Sequence, residues 1–248
     1  MTTSFRHILI GMLIGSLSLN VMAASKLVIG IPETGYPPYI IVDDKGPRGL
    51  LIEPIARAAA NLEIEIEYRY TPEKRSRILL DRGEIDARME SKKWVGAPNN
   101  YYWTDSFIDH DDVFVFHKKT DFQYRSDQDL VGVIVITHLG YSYPTLEALF
   151  RKGKAKRQDS SSEHAMLATL LRFDPNYVQV AVMNHQVATW LIQNNGLFRG
   201  QFDFSDNVVD TAPLQMQFYK SARLKNMVER LNAELSRMDM SQYAFPKN

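Results

Sequence analysis

The sequence predicts an α/β fold made in two halves, and three observations carry that prediction. Short β-branched runs alternate with helically spaced apolar residues, in β-α-β-α-β order, over residues 26–89. A polar stretch with no period, residues 118–128, interrupts that order, and strand-helix alternation restarts at Leu130. With 248 residues, 45% of them apolar, the chain has enough apolar surface for one large core or two small ones.

Taken in order, residues 26–31 are a β-branched run stopped by Pro32. Tyr36, Pro37, Pro38 and Tyr39 form an aromatic loop, and residues 40–42 read as a second short strand. Turn chemistry at Asp43, Asp44, Lys45, Gly46 and Pro47 leads into a helix over residues 49–62, with Leu51, Ile52, Ile55, Ala56, Ala59 and Leu62 in helical spacing. Residues 63–70 alternate charge with Ile64, Ile66 and Tyr68, a half-buried strand. Residues 72–80 read as a helix starting at Thr71 and closed by Gly83, before a strand at 85–89. Beyond a β-rich run at 112–117, strands are expected at 130–137, 155–158, 177–183 and 213–219. Helices are expected at 144–151, 161–171, 184–193 and 222–238. The last is the clearest amphipathic segment, with Leu224, Met227, Val228, Leu231, Leu235 and Met238 on one stripe.

The first 23 residues read as an address. Arg6 and no acid precede an apolar run at 8–19, and Val21, Met22 and Ala23 lead into small residues, the plan of a cleaved secretory signal. That run is shorter than the ~20 residues a membrane span needs. Export to the periplasm is therefore expected, and with no cysteine in the chain there is no site for an N-terminal lipid anchor. The missing cysteine also excludes disulfides, thiolate metal sites and cysteine nucleophiles. Lysine and arginine number 29, as do aspartate and glutamate, so no basic field favours nucleic acid.

Enzyme signatures are absent: no Gly-x-Ser-x-Gly, His-Glu-x-x-His, phosphate loop or Gly-x-Gly-x-x-Gly occurs. Asp109, His110, Asp111 and Asp112 invite a metal reading, but consecutive side chains of an extended chain point to alternate sides. No metal, cofactor or catalytic residue is assigned. Ser160, Ser161 or Ser162 reads as a helix cap rather than a nucleophile paired with His164.

The ordered landmarks do resemble a known family, the bacterial extracellular solute-binding proteins of family 3, the periplasmic amino-acid-binding type. They comprise the first strand with its loop (residues 30–39), Gly49 opening a helix, residues 80–87 (Leu-Asp-Arg-Gly-Glu-Ile-Asp-Ala) and Asp129 to Val133 at the restart. Residues 140–143 (Gly-Tyr-Ser-Tyr), 171–174 (Leu-Arg-Phe-Asp) and the closing helix with Leu231 and Asn232 complete the set, which spans about residues 26–238.

The resemblance implies a two-lobed periplasmic-binding-protein-like fold of type II, each lobe a mixed sheet flanked by helices. Residues 24–118 with 212–248 would form lobe 1, and 119–211 lobe 2. It further implies a monomer that captures a small polar solute, an amino acid or related organic ion, by lobe closure. The solute would pass to an ABC-type permease or be reported to a membrane sensor.

Carrying sites over from the family, Tyr36 and Tyr39 lie in the loop that packs on the ligand, while Thr137, Tyr141, Ser142 and Tyr143 occupy the second-lobe contact loop. Arg75, Arg88, Glu90 and Ser91 are the polar candidates at the ends of lobe 1 elements. The arginine that clamps an α-carboxylate in the family falls near Pro98 or Asn99, and the aspartate that takes the α-amino group aligns with Asn184. Both charged anchors are missing, which weakens the case for an ordinary α-amino acid. Two other readings stay open. One is an enzyme on the same fold, like the cyclohexadienyl dehydratases, with Glu90 or Glu33 as its acid. The other is a ligand-free protein that binds a partner.

Overall fold

A computed structural model describes residues 25–243; the signal segment expected at 1–23 lies outside the described residues. The first half forms β1 (Ser25–Pro32), α1 (Ile52–Asn61), β2 (Ile64–Thr71), α2 (Glu73–Asp81), β3 (Ala87–Glu90) and the two-residue β4 (Tyr102–Trp103). β5 (Ile108–His117) then leads into β6 (Ile134–His138), α3 (Glu147–Arg151), β7 (Lys156–Ser160), α4 (Glu163–Leu170), β8 (Gln179–Asn184), α5 (His185–Asn194) and β9 (Phe202–Phe204). β10 (Asp210–Phe218) returns the chain to the first half, and α6 (Ala222–Leu235) closes it.

Strand pairing shows how one chain makes two lobes. β1 pairs in parallel with β2 and β3, and β10 runs antiparallel to β3 and β4, giving the order β2-β1-β3-β10-β4. The second half repeats the plan as β7-β6-β8-β5-β9, again three parallel strands followed by antiparallel neighbours. In each lobe the fourth strand arrives from the other lobe. β5 and β10 pair with one another over Ile108–Asp112 and Leu214–Asp210, so two antiparallel strands bridge the halves. Val113, Phe114, Val115 and Phe116 already pack among second-half residues, ahead of the polar stretch, so β5 carries the chain across near Asp111.

Each lobe has its own core, with Val187 and Leu191 of α5 packing into the first as well. In the first, Leu27, Ile29 and Ile31 of β1 meet Ile55, Ala58 and Ala59 of α1 and the α6 stripe of Leu224, Met227, Val228, Leu231 and Leu235. Each fully buried aliphatic side chain of this kind contributes about 1.5–3 kcal/mol. The second lobe has a core on each face of its sheet, one under α3 with Phe114 and Val135, the other under α4 and α5 with Ile136, Met166 and Leu167.

Several boundaries differ from the sequence expectation for local reasons. Residues 40–42 form only isolated bridges, Tyr36 with Ile40 and Ile41 with Arg48, because the chain reverses around the cis Pro37–Pro38 peptide and again at Gly46. α1 begins at Ile52, not at 49, since Gly49 has a positive φ outside the helical region; the Leu50 and Leu51 N–H groups, without acceptors in the helix, donate to the Pro38 and Tyr39 carbonyls. α2 has Pro72 rather than Thr71 at its cap, and Thr71 ends β2 with its side chain buried. The strand expected at 130–137 starts only at Ile134, after a 3₁₀ turn at Asp127–Leu130 boxed by Ser126 and Asp129. No helix among the described residues is long and apolar enough to cross a membrane.

Candidate functional site

Register fixes which ends of the sheets face the gap between the lobes. β10 enters lobe 1 at Gln215, opposite Glu90, so the C-terminal end of β3 lies on the side of lobe 2. Asp112 of β5 sits opposite Asn184, so the C-terminal end of β8 and the start of α5 lie on the side of lobe 1. Parallel pairing brings the ends of β1, β2, β6 and β7 to the same gap. Helix N-termini and strand-end loops therefore line it, the usual place for a ligand in an open α/β sheet.

The aromatic loop fills the centre. Gly49 holds it in place, with φ of +118° and only 2.5 Å between an added Cβ and the Pro38 carbonyl oxygen. Tyr36 stacks on Tyr39 at 5.7 Å, and both rings stack on His110 of β5 at about 6 Å. The Tyr36 hydroxyl lies 3.0 Å from His110 Nε2, and Trp94 meets the His110 ring edge-on at 5.2 Å. Tyr36 is half-buried, while Tyr39 is fully buried.

Tyr39 joins the lobes through its hydroxyl, which donates to Asn184 Oδ1 at 3.2 Å. The same oxygen caps α5 by accepting from Val187 N at 3.0 Å, and Asn184 Nδ2 donates to the Asp111 carbonyl at 3.3 Å. All of the Asn184 side chain is thus engaged at the joint. Burial raises the Tyr36 hydroxyl well above its usual pKa, and Glu163 and Tyr141 of lobe 2 and Asp112 of β5 raise it further.

The remaining predicted residues fall in three groups. Arg88 and Glu90, two apart on one face of β3, are buried and pair at 3.0 Å, while Ser91 is fully buried and accepts from Lys93 N. Arg75, in the first turn of α2, is exposed. In lobe 2, Thr137 is buried and donates to Asp159 Oδ1 at 2.7 Å. Tyr141 and Ser142 are exposed, and the Tyr141 ring stacks 4.0 Å from His138, which itself approaches Glu163 at 3.8 Å. Glu33 is exposed in the turn after β1.

Alternation along an extended chain excludes a joint metal site at residues 109–112 but assigns His110 and Asp112 no role. In the structure they belong to β5 and share a face toward Tyr36, because alternation separates them from Asp109 and Asp111. Burial lowers the His110 pKa to about 4 and raises that of Asp112 to about 7, where Asp210 and Asp111 add to the effect. The signal that could have found them is the aromatic run directly after them, which marks a buried strand entering a core. No group of three metal-ligating side chains forms among the described residues.

Comparisons agree with the topology. No family model and no curated protein matches the chain. Among solved structures, an extracellular-binding protein of a probable amino-acid ABC transporter from Bacillus subtilis aligns with a TM-score of 0.70 at 13% identity, over 86% of this chain and 91% of that one. A histidine kinase sensor domain described as similar to periplasmic binding proteins gives 0.67 at 17%, over 85% and 89%. The truncated, arginine-bound arginine-binding protein from T. maritima gives 0.63 at 18%, over 86% and 95%. The chain has the two-lobed fold of the periplasmic binding proteins.

Proposed function

We propose that this protein is a non-enzymatic periplasmic receptor that captures a small polar solute between its lobes, for ABC-type import or for sensing. The observation that supports this most is the convergence of Tyr36, Tyr39 and His110 with Asn184 at the point where β5 and β10 cross. Residues of both lobes meet there, so a ligand touching both would favour the closed arrangement by its extra contacts. The lobes would move as two bodies on the crossing strands, with the division near residues 110–112 and 210–212. Tyr36, Trp94 and Tyr141 offer ring faces, while Arg88, Glu90 and Ser91 would shape the lobe 1 wall. The similar structures include both transport and sensor proteins, so this fold is compatible with either destination.

A thermal-shift screen of amines, amino acids, organic anions and sugars tests the reading. A ligand at about 100 times its Kd adds about 2.7 kcal/mol of stability, enough for a shift of ~5–10 °C in a chain of this size. A screen in which no compound of any class raises the melting temperature would overturn it.

A further inference from the structure

Resting on the solute-binding reading, we infer that the solute is a small organic amine without a carboxylate, its ammonium held by the Asp112 carboxylate beside the rings of Tyr36 and Trp94. The first support is the distribution of charge around the gap. The basic groups that line it already face oxygen: Arg88 pairs with Glu90 at 3.0 Å, and Lys93 Nζ holds Asp210 Oδ1 at 2.7 Å and the Thr211 carbonyl at 2.6 Å. Arg157 spans Asp159 at 2.9 Å and the Tyr141 carbonyl at 3.1 Å. Arg75 is exposed, where water screens it. A carboxylate on the ligand would have to displace one of these partners.

Asp112 is in the opposite condition. Its side chain is only 22% exposed, and the nearest basic group is His110 Nδ1, 3.5 Å from Oδ1. His110 is itself 7% exposed, and this Nδ1, aimed at the carboxylate, has no hydrogen-bond partner. Burial keeps the imidazole neutral, so it supplies no counter-charge; Asp210 and Asp111 add like charge, and Lys93, itself held by Asp210 and the Thr211 carbonyl, offsets it only in part. A largely buried carboxylate without a directly paired cation is costly unless something else brings one.

The surrounding side chains suit an ammonium. Trp94 is 45% exposed and meets edge-on the His110 ring on which Tyr36 stacks, so its ring face can take a cation–π contact. The lobe 1 wall also has a buried oxygen without a donor. Gln215 lies opposite Glu90, and its amide is oriented by Nε2 donating to the Thr104 carbonyl, which leaves the acceptor Oε1 unpaired.

Matched pairs of compounds decide the matter by calorimetry at pH 8: 2-phenylethylamine against phenylalanine, and 1,4-diaminobutane against ornithine, with succinate as the anion. The amine of at least one pair should bind at least tenfold more tightly than its carboxylated partner, and Asp112→Asn should weaken that binding at least tenfold. Equal or tighter binding of the amino acid or of succinate overturns this inference while leaving solute capture standing. So does an Asp112→Asn protein that folds by circular dichroism and keeps its affinity. Should the variant not fold, the matched pairs on the unaltered protein still decide. Failure of every class of compound overturns the solute-binding reading itself, and this inference with it.

Discussion

His110 and Asp112, two residues apart on β5, are both driven toward neutrality by burial, with opposite effects on stability. Between about pH 4 and 7 the folded chain keeps the Asp112 proton that an unfolded chain has released, so this contribution falls as pH rises. Between about 6.5 and 4 an unfolded chain gains a His110 proton that the folded chain refuses, so that contribution falls as pH drops. Over pH 4–6.5 the two oppose and largely cancel. Relative to the unaltered protein, Asp112→Asn should gain stability as pH rises from 4 to 7, and His110→Gln should lose it between 4 and 6.5. Urea unfolding at three pH values checks this, and parallel profiles for all three proteins would contradict it. The buried Arg88–Glu90 pair is a separate case. Arg88→Met removes the guanidinium from the Glu90 carboxylate and should cost about 3–5 kcal/mol, measured by the same method.

At the scale of elements, caps and turns position the gap-facing residues. Ser162 and Ser221 accept from the third residue of α4 and α6, at Ala165 N and Leu224 N. Ser221→Ala should cost about 1 kcal/mol, and a loss under a few tenths in chemical denaturation would show the cap to be dispensable. Gly49→Ala should cost more, about 1–3 kcal/mol from the backbone conformation plus the clash with Pro38 and Tyr39, and it should loosen the aromatic loop. Most elements were legible because their periods are plain: α6 buries the stripe that its spacing predicts, and Ser162 caps the helix where a serine was expected. The short β4 and β9 were not, since strands of two and three residues carry no period and exist only through pairing with β10 and β5.

On the scale of the whole molecule, the Tyr39 hydroxyl to Asn184 is a hydrogen bond that ties the lobes, beside Val187 of α5 packed into the first core and the paired crossing strands. Tyr39→Phe keeps the ring in its core and removes this bond, so the unliganded protein should keep its circular dichroism spectrum and show a larger radius of gyration in solution scattering. An unchanged radius would mean that the crossing strands alone set the closure. Sequence by itself determined the α/β class, the absence of cysteine chemistry and the aromatic loop after the first strand. These depend on composition and on contacts between residues near in sequence, which periodicity records. Only the tertiary structure decided that β5 and β10 exchange between the lobes and that Arg88 and Glu90 satisfy each other. It also decided that His110 stands buried against Tyr36, with Asp112 on the same face of β5. Burial and charge balance are properties of what the fold packs around a residue, and residues 36, 110 and 184 become neighbours only once both sheets have formed.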